Sequence, residues 1–459
     1  MKPITIMLVS LTLGVFGSLF RTPAWGLIVY YAYSVLRPQF LWEWALPAVP
    51  WSSLVGWTVL LCVVVNPPRL PAGLEARGGG PRFTWAHRLV LGFGAWLFLT
   101  YVTARHPEVS YPYLIEYIKI FLMFLVGAFV MRTIGELWAL YLMTAGILGY
   151  IAVEINDIYL RSHYLYLFRR GYCGLDNNGA GLMLSMGVPM CFYAWEGMTS
   201  RWRWLFLALI PPLLHAVLTS YSRGAMLSLI PGVLFWLVRS RHKKKVAVLL
   251  VGIACSIPIL AGKEIQERFQ STADYNADDS AKARFTTWKI AWRMAQENPI
   301  FGLGIRNSNI YTFDYGADIP GRTIHSQYLQ TAADSGLVAL SLYLTALFVC
   351  WRTASRVMRE THGRTDVEGR RAYAMAAGYE GSMIVFCVGA AFLSLETFET
   401  PYIMMLIAAQ LPLALRPAPP EQLNGEAEAA YPAGGFITEH EFNGIAPAEY
   451  AADPGALQA

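Results

Sequence analysis

The chain has 459 residues, of which 55% are hydrophobic and only 15% charged, with a mean hydropathy of +0.39. Soluble domains carry about 25% charged residues. The deficit and the repeated long apolar runs exclude an ordinary soluble multidomain protein, which would need alternating polar faces, and place the chain in the membrane class. The formal net charge of +5 is small, so the position of the basic residues carries more information than their sum, and no nucleic-acid partner is expected.

Taken in order, apolar runs at 4–20 and 23–36 flank Arg21 and Pro23, as two short spans or one broken pair. Pro38 begins an aromatic loop whose Trp42, Trp44 and Trp51 suit a membrane interface. Further spans are predicted at 52–65, 89–103, 113–131 and 134–153, before a polar loop at 154–175. Spans at 178–196, 204–220, 223–239 and 246–262 lead to a long polar loop, 263–330. The last spans are expected at 331–351, 375–395 and 400–415. Each approaches the roughly 20 residues that a helix needs to cross the hydrocarbon core. The fold class is therefore an all-α polytopic membrane protein of 12–13 transmembrane helices with one long loop containing short helices. Its parts are 1–262 (N-terminal helices), 263–330 (the loop), 331–416 (C-terminal helices) and 417–459. The last part, rich in Ala, Pro, Gly and Glu, reads as a disordered cytoplasmic tail.

Basic residues set the orientation. RSRHKKK at 239–245, the arginines of 352–371, Arg201 with Arg203, and the 69–88 loop agree in parity and fit one cytoplasmic side. The 263–330 loop, the 154–175 loop, the corner at Ser220–Arg223 and the turn at Glu396–Glu399 then lie outside. Thirteen spans put the N-terminus outside and twelve put it inside. No cleavable signal peptide is evident. Five of the six cysteines fall in apolar segments and none forms a CxxC, so they read as small buried hydrophobes.

Chemistry is expected in the outer loop. Asp278, Asp279 and Ser280 offer caps for a helix over 281–297, on which Phe285, Trp288 and Trp292 form an apolar face. Arg284 and Trp288 are i,i+4 neighbours that can face one cavity. Gly302 and Gly304 permit a tight, close-packed turn. His325 stands before Ser326-Gln327-Tyr328 at the start of an apolar helix, and histidine accepts a proton near neutral pH. A lone histidine is commonly structural; the predicted membrane boundary and the arginines on its side favour a general base. Arg223 opens a span, where snorkelling to the interface competes with phosphate binding by its fork of N–H donors. Arg284, Arg306 and Arg322 share that side, as do the acids Asp176, Asp314, Asp318, Glu396 and Glu399. No HExxH, paired Cys/His spacing or Walker loop is present. No metal and no cofactor are expected, and a leaving pyrophosphate would be stabilised by basic side chains alone.

SYSRGAML at 220–227, RFTTWKIAW with NPIFGLGIRNSN, and HSQYLQ followed by SGLVAL resemble the O-antigen ligase and polymerase superfamily. LRPQFLWEWALP and GLDNNGAGL at 174–182 look like its branch of exosortase-associated O-glycosylation ligases. The resemblance covers residues 1 to about 415. It implies a GT-C-like glycosyltransferase of the bacterial inner membrane whose long loop is periplasmic. Such an enzyme moves a glycan from undecaprenyl pyrophosphate to an acceptor hydroxyl, above all on the lipid A core, with inversion and without metal. The resemblance maps the family's motif histidine onto His325 and its arginines onto Arg223 and Arg284, which are expected to act as catalytic base and pyrophosphate ligands; Arg322, Tyr328 and Arg306 are second-rank candidates for substrate contacts. Gln327 stands between Ser326 and Tyr328 where many relatives have a shorter pattern. Alternatives are a repeat-unit polymerase, a protein O-glycosylation ligase and, from another class, a polysaccharide-lipid transporter. A transporter would place its charges near the midplane on broken, repeated helices.

Overall fold

In hydrocarbon every backbone N–H must find its acceptor within the chain, and long apolar runs therefore close into helices. The computed structural model describes residues 2–47, 49–65, 83–172, 174–239, 243–244, 279–395 and 397–415. In order, the helices are α1 (Lys2–Phe20), α2 (Ala24–Leu36), α3 (Pro38–Leu41), α4 (Trp51–Val65), α5 (Trp85–Val102) and α6 (Pro107–Val130). They continue as α7 (Ile134–Ser162), α8 (Tyr166–Arg170), α9 (Asn177–Gly197), α10 (Arg203–Ala208), α11 (Ile210–Thr219) and α12 (Arg223–Arg239). The last are α13 (Asp279–Glu297), α14 (Ser308–Tyr311), α15 (Gln327–Glu360), α16 (Val367–Ala390) and α17 (Thr400–Ala414). Among the described residues the fold is all-α, and α6, α7 and α15 are long and apolar enough to cross a membrane. The chain divides into Met1–Arg416 and Pro417–Ala459. The expected span at 246–262, residues 240–242 and 245 of the basic run, Asp278, Glu396 and the tail lie outside the described residues.

Capping and proline chemistry set the boundaries. Thr133 and Glu136 form a reciprocal capping box at the start of α7. Asp366 accepts from the Gly369 N–H and starts α16 well before the expected 375. The apolar pair at the N-terminus is two helices, turned at Arg21–Pro23 and packed antiparallel, with the Tyr33 hydroxyl donating to the Met7 carbonyl at 2.7 Å. The span expected at 204–220 is broken into α10 and α11, because Pro211 and Pro212 have no N–H to continue the ladder. The polar loop expected at 154–175 is helical as far as Ser162, so α7 carries Glu154 and Asp157 on its last turns. Nearly all of α9 is buried, and its small residues let neighbours approach closely: a Cβ on Gly187 would stand 3.1 Å from Leu148 and Leu213.

Helix ends sort into two groups. At one end, Gly197 lies against Trp138 and Ala374, Thr22 donates to Glu136, and Phe83 packs on Phe129. Arg132, Arg201, Arg203 and the 364–371 turn gather at this basic end. At the other end, Tyr172 bonds the Leu36 carbonyl, Asn177 bonds the Ser220 carbonyl, and Leu395 donates to Gln327. The 279–326 segment belongs to this second end, since Arg105, just past α5, donates to the Leu303 carbonyl at 3.0 Å.

Candidate active site

The 279–326 segment is held down by a break in α15. Gly336 has φ 84° inside that helix, and the carbonyls left without helical partners are taken up by other groups. Leu303 N–H donates to Ala333, Gly304 N–H to Asp334 and the Trp96 indole to Ser335, while Leu337 N–H donates to Pro299. The approach requires glycine on both sides. A Cβ on Gly302, itself at φ 66°, would lie 2.4 Å from the Asp334 backbone, and one on Gly336 would lie 2.0 Å from the Ile300 oxygen. α13 packs on this base through Thr287, Ile290, Ala291 and Met294, against Leu303, Ile324 and Ala333. The expected face of Phe285, Trp288 and Trp292 is therefore only partly the packed one. Trp288 is drawn in, whereas Phe285 and Trp292 are 46% and 45% exposed, because the smaller side chains one step around the helix fit the narrow gap.

His325 sits on the turn between this segment and α15, with a left-handed backbone at φ 54°. Three hydrogen bonds define the turn. Thr287 Oγ1 donates to the Ile324 carbonyl at 3.2 Å, Trp288 Nε1 donates to the His325 carbonyl at 3.3 Å, and Ser326 Oγ accepts the Leu329 N–H to start α15. The half-buried imidazole is surrounded by charge. Burial pulls its pKa below the ordinary value, Arg284 lowers it further, Asp176 acts in the opposite sense, and Arg322 and Arg306 add to the lowering. The ring is thus held neutral at pH 7, with a lone pair available to take a proton.

Arg223 opens α12 on a corner that the SYSRG run builds. Ser220 Oγ accepts the Ser222 N–H, Tyr221 takes φ 56°, and Ser222 Oγ caps α12 at the Ala225 N–H. The corner docks on α9, where Asn177 Nδ2 donates to the Ser220 carbonyl at 2.9 Å and Gly181 leaves room for the Ser220 hydroxyl. Asp176 accepts the Gly179 N–H at 2.8 Å, so one carboxylate caps α9 and supplies the negative charge felt at His325. Gly224 lies against Phe392, and Phe392 packs on Trp288 with ring centroids 6.0 Å apart. One aromatic layer therefore joins the start of α12 to the tryptophan that holds His325.

The other expected residues have visible surroundings. Arg322 pairs with Asp318 at 3.2 Å. Arg306, at φ 64°, lies over the Tyr113 ring at 5.2 Å. The Tyr328 hydroxyl donates to the Cys387 carbonyl at 2.8 Å, which gives that phenol a packing role against α16. Glu399 lines a small cavity of about 110 Å³ with Ser34 and Arg37, its Oε2 buried and unbonded. Burial pushes its carboxyl up to about 7 against the opposing pull of Arg37.

Several supporting residues were not singled out from the sequence. Asp334 accepts from the Ser308 N–H at 3.0 Å and from Gln330 Nε2 at 2.8 Å, and Gln330 also bonds Ser308 Oγ. Asn307 clamps the loop to the α5–α6 turn, accepting the His106 N–H and donating to Ser110. The i,i+4 spacing of Gln330 and Asp334 on an apolar helix was the available signal. All five non-glycine residues with positive φ among the described residues, Arg37, His163, Tyr221, Arg306 and His325, lie at this end of the bundle. Backbone strain of this kind collects at functional sites.

Residues 212–344 match the model of the O-antigen ligase family. The chain carries an O-antigen ligase family domain. Arg223, Arg284, Arg306, Arg322, His325 and Tyr328 all fall within the matched stretch, whereas Asp176 lies outside it. No curated protein matches the chain.

Proposed function

We propose that this protein is a membrane glycosyltransferase that moves a glycan from undecaprenyl pyrophosphate to an acceptor hydroxyl on the periplasmic face, as an O-antigen ligase acting on the lipid A core. What supports the proposal is that the charges of Arg284, Arg322, Arg306 and Asp176 all act on a half-buried His325 whose pKa burial lowers, and that His325 and these three arginines lie in the stretch matched by the ligase family. Arg223 adds a guanidinium at the N-terminus of α12, where the helix dipole also favours an anion. The basic turns gather at the opposite end of the bundle, which supports a periplasmic setting for the site.

In this reading the acceptor O–H bond breaks as its oxygen attacks the anomeric carbon from the side opposite the pyrophosphate. His325 takes the proton. The bond from the anomeric carbon to the pyrophosphate oxygen breaks, and its electron pair leaves with the pyrophosphate, whose growing charge Arg223 and Arg284 offset. Attack from the opposite face inverts the configuration. Arg322 and Arg306 contribute field around the base, and the apolar helices offer a surface for the polyprenyl tail.

The test is a reconstitution. Purified protein in lipid nanodiscs is given a polyprenyl-pyrophosphate-linked glycan and delipidated core oligosaccharide, and products are read by mass spectrometry. The proposal expects a core–glycan adduct of inverted anomeric configuration. Extension of the glycan on its own carrier would make the protein a polymerase, and no covalent product would overturn the transferase reading.

A further inference from the structure

The same end of the bundle holds a cavity larger than the one at Glu399, of about 790 Å³, between α3 with the residues after it and the last turns of α7 with α8. That volume is within the roughly 300–1,000 Å³ of small-molecule sites. Its walls alternate rings and carboxylates. Trp42 packs edge-on against Tyr150, Trp44 is 72% exposed, and Tyr164 and Tyr166 also line the cavity. Glu154, Asp157 and Glu43 line the same space with Arg161 and Arg170. Asp157 pairs with Arg161 at 2.8 Å, Glu43 pairs with Arg170, and Glu154 accepts from the Tyr150 hydroxyl.

The chemistry of this lining selects among ligands. Three carboxylates against two arginines, with both arginines already paired, give no excess positive charge for a phosphate or pyrophosphate. Five acidic and basic side chains disfavour an acyl or prenyl tail. Flat ring faces beside carboxylate acceptors suit a pyranose, whose C–H face lies on an aromatic ring while its hydroxyls donate to the rim. α8 connects the cavity to the reaction site. Tyr166 and Arg170 face the cavity, and Phe168, between them in sequence, packs on Tyr221 with ring centroids 5.0 Å apart, two residues before Arg223.

We infer that this cavity is a saccharide subsite that holds sugar residues of a glycan one or more units away from the reacting bond. The inference rests on the proposed transferase function and deepens it by assigning glycan recognition to a wall outside the ligase-family domain. The glycan held there belongs either to the donor or to the acceptor, and both present the same pyranose chemistry.

The test measures binding by the full chain in nanodiscs, using saturation-transfer NMR with two probes. One is the free oligosaccharide released by mild acid from the cell's polyprenyl-pyrophosphate pool; the other is its delipidated core oligosaccharide. One of the two is expected to bind and so to name the source. Trp44→Ala and Tyr164→Ala are expected to weaken that binding at least tenfold, and Trp44→Phe to keep most of it. Trp44 is exposed, so its truncation leaves the fold intact. His325→Ala is expected to bind the same probe as the wild type, so a failure of the catalytic reading leaves this result standing. Binding of neither probe, or equal binding by wild type, Trp44→Ala and Tyr164→Ala, overturns the inference and leaves the rings as an interfacial belt.

Discussion

The indole N–H of Trp288 donates to the backbone carbonyl of His325 at 3.3 Å, across the junction between α13 and the turn before α15. One bond thus ties the helix that carries Arg284 to the residue that Arg284 polarises. The base and the cation that acts on it most strongly are positioned as a unit. Trp288→Phe keeps the ring packing on Phe392 and removes only the donor. A hydrogen bond of this type contributes about 1 kcal/mol, so turnover is expected to fall about fivefold, with little change in KM. Steady-state rates with lipid-linked glycan check this, and an unchanged kcat would show that the bond does not position His325.

The surroundings of His325 also predict a pH dependence. A base acts when unprotonated, and burial together with Arg284 lowers its pKa from the ordinary histidine value near 6.5. The acid limb of the wild-type rate is therefore expected below the ordinary histidine value. Removing a neighbouring positive charge favours the imidazolium, so Arg284→Ala should move the acid limb of kcat/KM toward higher pH as well as reduce the rate. A pH–rate profile measures both effects; an acid limb that stays in place or moves down would contradict this electrostatic account.

Gly336 and Gly302 lock the loop to the bundle. With φ 84° and an added Cβ only 2.0 Å from the Ile300 oxygen, Gly336→Ala must displace the segment that carries Gly302. A strained left-handed alanine and this clash together are expected to cost more than about 2 kcal/mol. The purified variant should unfold at a lower temperature than the wild type, and an equal midpoint would mean that the break in α15 tolerates a side chain.

Much of this arrangement was legible in the sequence. Arg223, Arg284 and His325 stand out in the sequence as an arginine opening a span, an arginine one turn from a tryptophan and a histidine before a helix; the structure sets the charge of Arg284 against His325, and the roles of all three belong to the proposal. Helix starts followed where caps such as Thr133 and Asp366 were local. Long-range events were not legible. Nothing near Gly336 in the chain announces that four separate groups will satisfy the backbone around it. The break at Leu209 was missed because apolar content hid the effect of Pro211 and Pro212. The packed face of α13 was misplaced because large aromatics outweighed Ala291 and Thr287 in the pattern, although a narrow gap prefers small side chains. Asp334 and Asn307 act through partners far away in sequence, which spacing alone does not reveal.

Glu399 gives a stability test apart from chemistry. Its carboxyl is raised to about 7 from an ordinary value near 4.5. A raised acid favours folding while protonated, and that contribution fades as pH climbs from the unfolded value through the folded one. Thermal stability of the wild type should therefore decline between about pH 5 and 7. Glu399→Gln, which stays neutral, should flatten the decline and be the more stable protein at pH 8. Parallel melting curves for the two proteins across that range would contradict the burial argument.

The central claim is that His325 is the base of a glycosyl transfer from a lipid-linked donor. The most direct test is single-turnover transfer by His325→Ala in nanodiscs, with donor loading measured separately on the same sample. The account predicts that donor still binds while the transfer rate falls by at least about 100-fold, the usual scale of a lost general base. Transfer at the wild-type rate by a fully inserted His325→Ala protein would contradict it.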